Sequence, residues 1–423
     1  MSDDTIESRP RRVLLLLTSR TYRAPAFLEA AGRLGVEVIK AIDMARPLAD
    51  YWQYPLGLDY SDLAASTQAI LDLAAQRPLA AIVPVDDSGV LLAAQASQVL
   101  GLPYNSPQAA EAARDKFVMR TLLSQAGVPV PTFRLFSTAD DPHSVASQVA
   151  FPCVVKPLRL SGSRGVIRAD DEQQLAMAIG RLGRLLDSLD GTDKPHSFLV
   201  EQFIPGFEVA LEGMLDDGRL EVLALFDKPD PLDGPFFEET IYVTPSRLPP
   251  ADQSALAGCA AAAAQALGLR HGPVHAELRL NEAGPWLIEV AGRSIGGLCS
   301  QTLRFGGDVS LEELILRQAL RLDGVAMQRE QRAGGVMMIP IPGPGLLRGV
   351  EGMEEATAVP GIEEIEITAR LNYPLTPLPE GDSYLGFIFA RGDTPDEVEA
   401  ALRAAHGRLR VEIDPYIELH SKR

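Results

Sequence analysis

The sequence predicts a chain that begins as an α/β domain and continues as α+β, and three observations carry that prediction. Val13 to Leu17, a helical stretch from about Ala24 to Leu34, Gly35, and Val36 to Ile39 form one β–α–β unit of a parallel sheet. Strand-like runs then recur near 151–156, 166–168, 197–202, 208–215, 220–226, 273–280 and 286–290, with helices near 171–187, 251–268 and 308–321. Around 331–350 the composition shifts to the Gly- and Pro-rich "GGVMMIPIPGPGLLRGV", followed by strands at 362–368 and 384–391, a helix at 394–406 and a last strand at 408–413.

Between the first unit and these runs, Leu63 to Ala75 reads as a helix, Ala80 to Pro84 as a third strand and 88–100 as another helix. Asp86 and Asp87 fall just past the carboxyl end of that third strand, where open α/β sheets bind ligands. Asp87 or Ser88 capping the next helix is the simpler reading of either residue alone. Pro103 to Pro107 breaks the pattern, and a helix over 108–126 ends at Gly127, with Pro129 and Pro131 stopping continuation. The chain of 423 residues therefore divides into 1–107, 108–330 (a smaller part at about 130–200 and a larger at about 201–330) and 331–423.

Hydrophobic residues at 46% and charged residues at 23% allow a sizeable core. A net charge of −18 disfavours nucleic acid as a partner, because phosphate backbones need clustered Lys and Arg. Three scattered cysteines, Cys153, Cys259 and Cys299, suggest reduced thiols rather than a disulfide framework. Leu14 to Leu17 is too short for a signal peptide or a membrane span, so a soluble, cytoplasmic protein without a membrane partner is expected.

Four segments carry chemistry. Arg114-Asp115-Lys116 places a lysine where it can meet a phosphate or simply face solvent. In "FPCVVKPLRLSGSRGV", residues 151–166, a strand delivers Lys156, and Ser161, Gly162, Ser163, Arg164 and Gly165 form a flexible turn whose N–H groups can approach phosphate oxygens. It is neither a Walker A loop nor a dinucleotide-binding GxGxxG, and a surface hairpin is the alternative. In "FLVEQFIPGFEVALEGM", residues 198–214, Glu201 ends one strand and Glu208 begins the next, a connection that can offer backbone groups to a purine edge or be an ordinary strand–turn–strand with exposed acids. In "HAELRLNEAGPWLIEVAGRSIGG", residues 275–297, His275, Glu277 and Arg279 alternate on one strand, and Glu277 and Glu289 can sit side by side across a hairpin. Paired carboxylates repel unless they share a cation, and hard Mg²⁺ suits such a pair; a solvated acidic hairpin with a surface salt bridge is the alternative. Arg293 can offer a planar fork to a phosphoryl group or carboxylate beside the tight turn at Gly296-Gly297.

In this order the four segments resemble the ATP-grasp superfamily, and within it the carboxylate–amine ligases of the L-amino-acid ligase type. The resemblance spans essentially the whole chain. It implies an ATP-grasp fold: an N-terminal Rossmann-like parallel α/β domain, two α+β subdomains closing over ATP, and a small α+β C-terminal domain. At matching positions it implies that Lys116 and Lys156 contact ATP phosphates, Ser161 to Gly165 covers them, and Glu201 meets the adenine amino group. Phe203 and Ile204 then supply backbone contacts, Glu208 binds ribose, and Glu277 and Glu289 hold one or two Mg²⁺ ions, with Mn²⁺ able to substitute. Arg293 steadies the transferred phosphoryl group and the tetrahedral intermediate. One position departs from the common E-[VI]-N-x-R pattern: Ala291 stands where Asn often does and cannot ligate a second metal.

Residues 226–246 resemble the larger mobile loop of these ligases, with Lys228 either reaching the acyl phosphate or exposed. The implied reaction joins an amino-acid carboxylate to the amine of a second amino acid through an acyl phosphate, with Arg304, Asp86, His275, Gly296 and Gly297 near the substrates. For His275 a structural role is the simpler reading. Dimerisation is common among such ligases, and the sequence carries no signal of its own for it. Two other readings stand beside this one: an enzyme of biotin-carboxylase or purine-biosynthesis type using bicarbonate or formate, and a nucleotide-binding scaffold without turnover. A Rossmann dehydrogenase is disfavoured because no glycine fingerprint follows Val13 to Leu17.

Overall fold

Parallel pairing of Arg12–Leu17 with Glu37–Asp43 and with Ala81–Pro84 builds the N-terminal sheet, and Leu56–Leu58 adds a fourth strand at the far edge. Val13 to Leu17 are all buried, as expected of a central parallel strand covered on both faces. The computed structural model describes residues 11–19, 21–191, 194–322 and 327–415. Most of the polar N-terminal segment Met1 to Arg12 and the end of the last domain lie outside the described residues.

The expected single helix over 108–126 is two helices, Pro107–Ala112 and Lys116–Gln125. Asp115 causes the break, since its carboxylate accepts from the N–H groups of Phe117 and Val118 and caps the second helix. Lys116 therefore opens a helix, and its own N–H donates to the Leu158 carbonyl.

A four-stranded antiparallel sheet follows, ordered Phe133–Ser137, Ser197–Gln202, Cys153–Pro157, Ile167–Ala169. The helix Glu172–Asp190 covers it with Leu175, Ala178, Ile179, Leu182 and Leu185, one apolar stripe at helical spacing. Asp171 caps its start and Gly191, left-handed, ends it.

The largest sheet has eight strands, ordered Gly284–Ala291, Gly272–Asn281, Phe207–Asp216, Arg219–Asp227, Ile241–Thr244, Ala333–Ile339, Gly386–Gly392, Ile362–Ile367. It runs without interruption from the metal-candidate hairpin into the C-terminal part of the chain. The expected loop 226–246 is thereby shortened, because Ile241–Thr244 is a buried central strand and only 228–240 lies between strands. Ala333–Ile339, inside the Gly-rich stretch, is another central strand. Its glycine content reflects packing: a Cβ on Gly335 would stand 2.6 Å from Val398 of the helix Pro395–His406. A three-stranded sheet, Pro374–Leu375, Gly345–Glu351 and Arg410–Asp414, completes the C-terminal part. The three cysteines are buried and free. No helix among the described residues is long and apolar enough to cross a membrane.

Candidate active site

Glu277 and Glu289 are Cα partners across the antiparallel hairpin, with a bulge just after Glu277. Both line a cavity of about 270 Å³ bounded by residues of the four-stranded and the eight-stranded antiparallel sheets, together with Lys116, Lys156, Glu201, Glu208 and Arg293. Each carboxylate has a cation at hand. Lys116 Nζ is 3.2 Å from Glu289, and Lys228 Nζ is 3.5 Å from Glu277. Two hard carboxylates from neighbouring strands, facing one cavity beside lysines, are a donor set that fits Mg²⁺ completed by phosphate oxygens and water.

Lys228 is buried, not exposed on a loop. Its ammonium donates to Glu208 at 2.9 Å and to Glu239, and lies 5.1 Å from the centre of the Tyr242 ring. Glu208, Glu239 and Glu277 converge closely around it. Burial works against the charged lysine, but the three carboxylates outweigh it and hold the amine well above its usual range. Burial, reinforced by Glu277, pushes the Glu239 carboxyl up to about 7. Glu277 goes the other way: burial opposes its charge, yet Lys228 and His275 keep it well below the usual carboxylate range.

His275 places Nδ1 on Glu212 and Nε2 at 3.5 Å from Glu277. Glu212 is itself fixed by the Ile295 N–H at 3.0 Å. Burial disfavours the imidazolium, but Glu212 and Glu277 outweigh it and push the ring up to about 9 from an ordinary 6.5. A raised folded-state value stabilises fully below about 6.5 and is lost as pH rises through about 9. The metal-free protein should therefore show a falling urea midpoint over that interval, and His275→Gln should remove most of the fall. An unchanged slope in the variant would dismiss His275 as its source.

Arg293 sits at the junction with the N-terminal domain, its Nε 2.8 Å from Asp87. Arg293 holds the Asp87 carboxyl below its usual range although burial pushes it up. Asp87 is thus a partner of Arg293, not a helix cap, and no side-chain capping bond forms at that helix start. Asp86 instead accepts from Thr18 and Thr21 and does not line the cavity. Arg304 also lies outside it, donating to the carbonyls of Gln301 and Leu303 and pairing with Asp308 at 3.3 Å. Gly296 and Gly297 line the wall.

On the opposite side, Glu201 receives Arg120 through a fork, at 2.8 and 3.2 Å, and Lys156 at 2.8 Å. Arg120 had no sequence signal of its own, being one basic residue on a helix. Burial lowers the Lys156 ammonium despite Glu201, and nearby Arg120 and Lys116 add to that. The cluster of two cations and one carboxylate is one positive charge in excess, which suits a phosphate. Gly162, Ser163 and Gly165 all have positive φ, at 63°, 56° and 72°, so the turn is a concave backbone of the kind that receives anions. Phe203 is gripped between Arg168 and Arg279, with guanidinium carbons 4.2 and 5.0 Å from its ring centre. Its N–H donates to Pro152, and the Ile204 carbonyl accepts from Arg279. That leaves, among the described residues, the Phe203 carbonyl and the Ile204 N–H for a purine edge. Glu208 is held by Lys228 and by Arg279 at 2.7 Å. Gly206 is required beside it, since a Cβ there would stand 2.4 Å from the Leu280 carbonyl oxygen.

Comparison with known proteins gives three domain matches: an ATP-grasp N-terminal domain over 28–104, an ATP-grasp domain over 149–302, and L-amino acid ligase C-terminal domain 2 over 337–414. An L-amino acid ligase from Bacillus licheniformis superposes with a TM-score of 0.81 at 26% identity, covering 96% of this chain and 99% of that one. Alanine–anticapsin ligase of Bacillus subtilis is 27% identical over 67% of this chain, and the match spans 64% of that enzyme, under two thirds of its length. An uncharacterised protein of Sinorhizobium fredii is 26% identical over 97% of this chain and 85% of its own.

Proposed function

As a member of the ATP-grasp superfamily with an L-amino acid ligase C-terminal domain, the chain is, we propose, an ATP-dependent ligase that joins an amino-acid carboxylate to the amine of a second amino acid. The observation that carries the substrate class is that Tyr22, Tyr242, Met338 and Tyr384 line the same cavity as Arg293 and give it an aromatic and thioether surface. Bicarbonate and formate have no apolar part to place there, whereas an amino acid has a side chain.

The substrate carboxylate oxygen attacks the γ-phosphorus of ATP; the O–P bond forms, the bond to the bridging oxygen breaks, and ADP leaves. Lys116, Lys156 and Arg293 neutralise charge that develops on the transferred group. The amine then attacks the acyl carbon, a C–N bond replaces the C–O bond, and phosphate and a proton are released. Arg293, held by Asp87, is placed to stabilise the oxyanion of that step. Glu277 and Glu289 are the residues that would hold Mg²⁺, which when bound supplies charge neutralisation to the phosphates. The free cysteines agree with a cytoplasmic setting.

Incubation with ATP, Mg²⁺ and pools of amino acids should release ADP and give dipeptide masses in equal amounts. ADP release that depends on bicarbonate alone would replace this reading with the carboxylase type. ATP binding with no ADP under any acid and amine pair would make the protein a scaffold.

A further inference from the structure

The C-terminal part of the chain reaches across to the small loop Ser161–Gly165. The Gly165 N–H donates to the Pro379 carbonyl at 2.8 Å. Arg164 donates to the Glu380 carbonyl at 2.8 Å and pairs with the Asp382 carboxylate at 3.2 Å. Arg181, on the helix behind the loop, forms a fork with Glu380, one arm at 2.8 Å, and lies 4.8 Å from the centre of the Phe236 ring. Asp382 and Tyr384, on the same segment, line the cavity. One stretch of the C-terminal domain thus both forms part of the cavity wall and grips the loop that closes it.

We propose that Pro379–Asp382 is a latch for the loop Ser161–Gly165, and that Glu380 and Asp382 are positioning residues that keep water from the acyl phosphate until the amine attacks. This rests on the ligase reading above. Exposure marks these contacts as a releasable catch: the side chains of Arg181 and Glu380 are 39% and 36% exposed, and solvated pairs of this kind are weak enough to break and re-form. The larger loop has an outer tie of the same exposed kind, Arg403 of the helix Pro395–His406 to Asp230 at 2.6 Å. It is also pinned from within by the buried Lys228, to which the small loop has no counterpart among the described residues. The small loop is therefore the part that opens for nucleotide exchange, and its latch decides whether the intermediate meets water. If it opens early, a water oxygen attacks the acyl carbon, the C–O bond to phosphate breaks, and the acid and phosphate return without amide. Each such event consumes one ATP, so ADP exceeds amide.

The test is the double variant Glu380→Ala/Asp382→Ala, read by hydrogen exchange of a peptide spanning the loop and by the ratio of ADP to amide. We expect loop exchange to rise roughly fivefold and the ratio to rise clearly above that of the unmodified protein. Reversing one pair, Arg181→Glu with Glu380→Arg, should bring both back toward their starting values. Unchanged exchange overturns the latch, and faster exchange with an unchanged ratio overturns its water-excluding role. Absence of ADP from both proteins refutes the ligase reading instead, while exchange still judges the latch.

Discussion

Replacing Arg293 with Ala should lower kcat for ADP-coupled amide formation by roughly 10²–10³-fold, the usual loss for one preorganised oxyanion donor, while the KM for ATP changes little. The expectation follows from how the residue is held. Its side chain is only 16% exposed, and Asp87 grips Nε at 2.8 Å, which fixes the plane of the guanidinium before substrate arrives. The remaining nitrogens are directed by a second bond, from Nη1 to the Ser294 carbonyl at 2.8 Å. A donor fixed this way does not have to reorganise as charge develops, and that is what separates an effect on kcat from one on binding. Lysine at the same position keeps the charge but loses the fork, so Arg293→Lys should recover only part of the loss. Asp87→Asn should cost less, about tenfold, because it loosens the orientation without removing the donor. Initial rates of ADP and amide formation, with circular dichroism to confirm folding, decide the matter. A kcat for Arg293→Ala within twofold of the unmodified enzyme would remove Arg293 from the chemistry.

The hairpin was legible because its information is local. The turn residues Asn281 to Gly284 fix the register as far as Leu278 and Leu287, and the bulge just after Glu277 then sets Glu289, instead of Ile288, opposite it. Lys156 and the Ser161–Gly165 turn were legible for the same reason, one strand end and one run of small residues. What was hidden is what the fold assembles from distant elements. Asp87 read as a helix cap because nothing in residues 84–90 announces Arg293, some two hundred positions later. Lys228 read as a loop lysine because, of the carboxylates that surround it, Glu239 stands at the other end of its own loop and Glu208 and Glu277 come from two distant strands. The helix over 108–126 read as unbroken because apolar periodicity continues through Asp115, and only the capping bonds show the interruption. Ala333–Ile339 was lost among glycines, which usually mark turns but here let a helix approach a central strand.

The second large effect concerns stability, and its size depends on which member of one buried cluster is removed. Arg120, Lys156 and Glu201 are 0%, 6% and 2% exposed, so their charges are compensated mainly by one another. Glu201→Gln removes the carboxylate that, among the described residues, joins the two cations and should lower unfolding free energy by about 3–5 kcal/mol, the range for breaking a buried ion pair. Arg120→Met gives up the fork to Glu201 and a bond to the Ile288 carbonyl, but it leaves Lys156 and Glu201 as a balanced pair at 2.8 Å and no buried charge without a partner; it should cost clearly less. The pH dependence supports the same order. Burial would raise the Glu201 carboxyl, but Arg120 and Lys156 outweigh it and hold it at about 2, against an ordinary 4.5. A lowered folded-state value contributes stability that is present above about 4.5 and lost as pH falls toward about 2. Urea midpoints should therefore separate the two variants at neutral pH and converge as the medium is acidified. ATP should partly rescue Glu201→Gln, since its phosphates can face Lys156, which lines the cavity, and binding to the folded state alone is stabilising. Equal midpoints for the two variants at neutral pH would mean that Glu201 does not hold this cluster together.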